Sequence, residues 1–178
     1  MAGMKKDEGW NKERRYQRTG CDLDAQFLYR DKWRPAKLIT LSGGGAFVAC
    51  SPRLKPNQVI FLEFGLEGGE VAAISRVVWH TGHNGDRHRI YPPGFAVEFE
   101  SMDSRDRALV NRFVIKSLRI LRALIHELDQ LEPDLDQIRS LFLIYRPEDS
   151  LRINHIRKVV REEYRHFRLR KIDCADKS

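Results

Sequence analysis

A change of hydrophobic period near residue 103 constrains this chain more than any other feature. From Cys21 to Glu100 the apolar residues come in short β-branched and aromatic runs, broken about every eight to twelve residues by Gly, Pro or Asn. Side chains alternate faces along a strand, so this pattern reads as all-β. The strands expected are Cys21–Tyr29, Arg34–Leu41, Ala46–Cys50, Val59–Phe64, Glu70–His80 and Gly94–Phe99. Turn chemistry falls at Asp31-Lys32, Pro56-Asn57, Gly68-Gly69, Asn84-Gly85 and Pro92-Pro93. Six strands of this length suit a small antiparallel barrel.

Beyond Asp103 the steps become three and four residues. Val110, Val114, Ser117, Leu121, Leu124, Leu128 and Leu131 follow the a/d seam of a heptad repeat, with Ile115, Leu118 and Ile125 widening the apolar surface. Asp103 or Ser104 is the expected N-cap, and Pro133 the stop. A short helix is expected from Asp134 to Tyr145. A third starts near Asp149 or Ser150 and carries Ile153, Ile156, Val160, Tyr164 and Phe167 on one face. The expected organisation is a flexible basic arm over 1–13, a barrel over 14–103 and a helical extension over 104–178. The seam either packs within the chain or forms a homo-oligomer through residues 110–131.

Composition narrows the function classes. The chain has 178 residues and a net charge of +7, and the excess lies at its ends: +4 over residues 1–50 and +5 over 151–178, with −1 in each segment between. Such a charge asks for anionic partners. No apolar run reaches the roughly 18 residues of a membrane span, and Met1 to Glu13 is polar, so the expectation is a cytoplasmic protein. Cys21, Cys50 and Cys174 are an odd number, far apart and without a C-x-x-C pair, which argues for buried small hydrophobes over disulfides or a zinc site.

Two short segments carry chemistry. Arg14 and Arg18 form R-x-x-x-R just before the first expected strand, with Arg15 between them. About twenty residues on, Ile-Thr-Leu-Ser-Gly-Gly-Gly places Thr40, Ser42 and Gly45 in the pattern [D/N]-x-S-x-x-G. Together these motifs resemble the PilZ family over roughly Lys12 to Val114. The strands around Arg76–Trp79 and Gly94–Phe99, and the helix after them, look like that family's late elements. The resemblance implies a six-stranded antiparallel PilZ-like barrel followed by about three helices, acting without catalysis as a cyclic di-GMP receptor. It implies that Arg14 and Arg18 clamp phosphate and guanine while Ser42 and its neighbours line the other side. The downstream protein partner is not readable from the sequence.

Physical chemistry supports such a ligand independently. Cyclic di-GMP is a compact dianion with two purine faces. A guanidinium can fork onto phosphate or onto guanine O6 and N7, and can stack on a π face. Ser42 offers a hydroxyl, and Gly43, Gly44 and Gly45 allow close backbone approach and present N–H groups to an anion. No G-K-[ST] follows, so the triple glycine is not a Walker loop. Thr40 departs from the family's usual Asp or Asn. A shorter hydroxyl meets the guanine N–H edge less well, and one lost buried hydrogen bond costs about 1–3 kcal/mol, or roughly ten- to a hundredfold in affinity.

Other signals are weaker. His80, His83 and His88 cluster near an Asn-Gly turn without further ligands, so loop histidines are preferred to a metal site. No nucleophile motif supports an enzyme. Trp79 and Trp10 are candidates for stacking or for core. The run Arg157 to Lys171 makes a basic amphipathic helix, open to nucleic acid, anionic lipid or the acidic stretch Glu127 to Asp136. Two readings therefore stand beside the receptor: a PilZ-like interaction or oligomerisation module that has lost the nucleotide, and, less favoured, a nucleic-acid binder.

Overall fold

Alternating apolar residues between Arg18 and Met102 pair into six strands: β1 (Arg18–Tyr29), β2 (Lys32–Ser42), β3 (Gly45–Ala49), β4 (Val59–Leu66), β5 (Gly69–His80) and β6 (Gly94–Met102). The computed structural model describes residues 16–51, 54–81 and 91–167, with side chains as far as 164 in the last segment. All pairings are antiparallel, and the strands close into a barrel in the order β1-β2-β3-β6-β5-β4. Closure removes the exposed edges of an open sheet.

Two hairpin turns sit one residue earlier than expected. Tyr29 pairs with Lys32, so the first turn is Arg30-Asp31, with φ of 51° and 58°. Positive φ at both central residues is the type I′ signature whose twist matches the flanking strands, and Asp tolerates it well. Leu66 pairs with Gly69, which makes Glu67-Gly68 the turn between β4 and β5. The expected Asn84-Gly85 turn lies outside the described residues, as do His83 and His88. β1 begins at Arg18, three residues before the expected start, because Arg18 to Gly20 continue the ladder with β2.

Inward-facing Phe27, Leu38, Leu41, Leu62, Phe64, Val77, Phe95 and Val97 pack into the core that fills the barrel. Helix α1 (Ser104–Leu128) starts where predicted, with the Asp103 carboxylate accepting from the Arg105 backbone N–H at 2.8 Å. Its first half adds Leu109, Val110, Val114 and Leu118 to the barrel core. Its second half projects Leu121 and Leu124 into another core with α2 (Leu135–Tyr145) and α3 (Ile153–Phe167), where Ile138, Phe142, Tyr145, Ile156 and Val160 meet them.

The expected seam is therefore buried within the chain from Val110 to Leu124. Leu128 is half-buried, and Leu131 lies beyond the helix, fully exposed. The helix stops at Leu128, before Pro133. The Asp134 carboxylate caps α2, accepting from the N–H groups of Asp136 and Gln137. α3 begins at Ile153, a few residues later than expected, after an irregular Pro147–Arg152 segment.

Candidate outer-wall site

The ladder places the two motif segments side by side. Arg18 pairs with Ser42, Ser42 with Gly45, Gly45 with Glu98, and Glu98 with Arg76. One step along, Gly20 pairs with Thr40, Thr40 with Phe47, Phe47 with Ala96, and Ala96 with Trp79. Residues directly opposite across a ladder share a face. Phe47 and Ala96 lie outside the interior cluster, whereas their neighbours Ala46, Val48, Phe95 and Val97 belong to it. These two rows consequently line the outer wall.

Arg18 is half-buried at the start of β1. It is a strand residue, contrary to the expectation that the arginine pair precedes the strand on a free arm. Arg14 and Arg15 lie outside the described residues. Ser42 is buried and its hydroxyl donates to the Gly45 carbonyl at 3.0 Å. Thr40 is 2% exposed, and its hydroxyl oxygen has no hydrogen-bond partner.

None of the three turn glycines has a positive φ, so room rather than backbone freedom decides their identity. A Cβ on Gly45 would run into the Val97 carbonyl oxygen, because β3 and β6 approach closely there. On Gly44 a Cβ would sit 2.5 Å from the Tyr16 ring, and on Gly43 it would sit 2.7 Å from Asn111 Oδ1 and 3.1 Å from the same ring. Tyr16, from the middle of the R-x-x-x-R segment, thus lies on the glycine turn. The α1 residue Arg107 donates from Nη1 to the Gly43 carbonyl at 3.3 Å.

Aromatic rings flank the second row. Tyr91 stacks on Phe47 with centroids 4.5 Å apart, and Trp79 lies 5.5 Å from Phe47. Trp79 therefore belongs to an outer aromatic cluster rather than to the barrel interior. Neither Phe47 nor Tyr91 carried a sequence signal: a lone aromatic on a strand, as Phe47 is, reads as core until the ladder register is known, and Tyr91 precedes β6 outside any strand.

The helical extension covers the other end of that row. A Cβ on Gly20 would collide with the Glu163 carboxylate of α3. Glu163 is ion-paired with Arg146, just past α2, and the two side chains are only 9% and 16% exposed. Burial pushes the Cys21 thiol far up; Arg146 opposes the shift and Glu163 adds to it. The Tyr145 phenol is likewise raised, by burial first and Glu163 second, with the Thr19 hydroxyl acting the other way. Burial works against the Arg146 charge, but the Glu163 carboxylate outweighs it and holds the guanidinium protonated. Elsewhere in the extension, Asp129 from the acidic stretch lines a groove with Arg157 and Arg161 of α3. Among the described residues no group of three or more His, Cys, Asp or Glu is placed to hold a metal, and no helix is long and apolar enough to cross a membrane.

The class this fold defines is a closed, filled six-stranded antiparallel barrel followed by three helices, with its two motif segments side by side on the outer wall. The chain belongs to the PilZ domain family, whose model matches residues 12–116 and so ends within α1. Among solved structures it is similar to Escherichia coli YcgR in complex with c-di-GMP, at a TM-score of 0.53 and 18% identity, covering 65% of this chain and 50% of that one. It is also similar to the isolated YcgR PilZ domain with c-di-GMP, at 0.50 and 17%, covering 65% and 99%. The Bacillus subtilis inhibitor of motility MotI/DgrA matches at 0.52 and 17%, covering 61% and 52%. The chain thus spans about half the length of MotI/DgrA and of the longer YcgR structure, and at these identities the likeness is one of fold. No curated protein sequence matches it.

Proposed function

We propose that this chain is a non-catalytic, cytoplasmic receptor or adaptor for cyclic di-GMP, which couples ligand binding through its N-terminal arm to the helical extension and a protein partner. The observation that carries this reading is the Arg18–Ser42 register, which joins the two motif segments in one ladder row on the outer wall. Arg14, Arg15 and Arg18 supply the guanidinium clamp, and Thr40, Ser42, Gly43, Gly44 and Gly45 the facing edge. A dianion suits that set, since bidentate Arg–phosphate pairs are strong and directional. The c-di-GMP complexes of YcgR, a relative in fold, support the same ligand.

Calorimetry tests it. Wild type binds cyclic di-GMP, while Arg18→Ala and Arg14→Ala each lose about tenfold or more in affinity, as expected for one charge-assisted contact. Absence of heat with wild type at high micromolar ligand overturns the reading. Thr40→Asn restores the longer acceptor and should tighten binding by roughly ten- to a hundredfold. A second reading is favoured by the enclosure of Thr40: the fold retained as an interaction module without the nucleotide. It predicts no binding by wild type and a partner captured through the extension.

A further inference from the structure

The contact between α3 and β1 is placed where the proposed ligand strip begins. Gly20 lies directly across the ladder from Thr40, the position at which the motif calls for Asp or Asn, and two residues from Arg18. The outer side of Gly20 is filled by the Glu163 carboxylate, and only glycine leaves it that room. A ligand edge laid along Arg18, Thr40 and Ser42 meets this carboxylate at its end.

The contact is also incompletely satisfied. Glu163 Oε1 accepts from Arg146 Nη2, but Glu163 Oε2, Arg146 Nε and Thr40 Oγ1 are all buried without a hydrogen-bond partner. The Tyr145 hydroxyl lies near Thr19 and Glu163 without a bond of good geometry. A half-satisfied buried network is weaker than either a complete one or an apolar contact of the same shape. α3 is thus seated on the barrel by a pair that holds it in place while leaving polar atoms unmet, which is the condition for exchange with a better-matched partner.

We propose that Arg146 and Glu163 form a latch that seats the α2–α3 hairpin on the ligand strip, and that cyclic di-GMP and the latched hairpin compete for it. The proposal rests on the cyclic di-GMP reading above. Binding frees the hairpin from β1, and the side of it that carries Tyr145 and Glu163 becomes available to a partner. A ligand whose competent state is only partly populated binds with apparent affinity reduced by that fraction, so a latch closed roughly nine-tenths of the time weakens binding about tenfold.

Hydrogen exchange on the full wild-type chain, with and without cyclic di-GMP, is the variant-free test. Ligand should slow exchange in β1 to β3 and speed it about tenfold or more in α3, the factor set by the same population shift. In calorimetry Glu163→Gln should bind about tenfold tighter than wild type. The double variant Arg146→Met with Glu163→Leu, which replaces the pair by apolar groups, should bind more weakly. Ligand binding with α3 exchange unchanged or slowed overturns the latch and leaves the receptor reading standing. Tighter binding by Glu163→Gln than by wild type, with α3 exchange speeded by ligand, upholds both. No binding by wild type or by Glu163→Gln removes the receptor reading and the latch with it.

Discussion

Gly45 shows how a position can serve a motif and a backbone at once. It ends the [D/N]-x-S-x-x-G pattern, yet its immediate constraint is the Val97 carbonyl, which leaves no space for a Cβ. Gly45→Ala must push β3 from β6 and should cost about 1–3 kcal/mol, read as a lower urea midpoint at unchanged slope. Gly44→Ala displaces only the Tyr16 ring, which is 42% exposed, and should cost less than half as much. The buried thiol of Cys21 and the half-buried one of Cys50 give a second prediction. Burial pushes Cys50 up to about 11 and Cys21 further. The thiolate is the reactive form, so in a Cys174→Ser background neither should be alkylated at pH 7 at the rate of a free cysteine, whose pKa is about 8.5. As pH rises toward 11 the thiolate fraction of half-buried Cys50 grows and its labelling accelerates, while Cys21 stays protected. At this scale the sequence disclosed Arg18, Ser42 and Gly45, because residue type and spacing mark them. It was silent on Glu163, one of two adjacent acids in a basic helix, since only the fold brings that side chain onto Gly20.

The elements were legible wherever periodicity alone decides. All six strands and three helices lie near their expected places, and the Asp103 and Asp134 caps follow from side chains that accept from nearby backbone N–H groups. What periodicity leaves undecided is which partner an apolar stripe meets. The α1 seam satisfies the heptad pattern, but its upper half closes the barrel and its lower half holds α2 and α3. One helix therefore belongs to two cores. Phe142 sits fully buried in the second, and Phe142→Ala should cost that core about 3–5 kcal/mol. The expected outcome is lost hydrogen-exchange protection in α2 and α3, with β1 to β6 still protected, because the barrel core does not include Phe142. Equal loss in barrel and hairpin would show that the two cores melt as one unit.

For the whole molecule, the +7 charge separates into parts with different work. At the N-terminal end Arg18 lies on the outer wall, in register with Ser42. At the C-terminal end α3 spends Ile156 and Val160 on the second core, and its Arg157 and Arg161 line one groove with Asp129. A dianion approaching the outer wall meets Arg18, with Arg76 four strands along the row already paired to Glu100. Binding should then depend on salt in a way that reports this uneven field. The screening length falls from about 10 Å at 0.1 M to about 3 Å at 1 M, which removes long-range attraction while leaving direct Arg–phosphate contacts less affected. The expected result is a moderate loss of cyclic di-GMP affinity across that range in wild type. Arg18→Ala should show a smaller salt dependence, because the charge responsible for part of it is gone. A salt dependence identical in both proteins would place the attraction elsewhere on the chain and separate the net charge from the site.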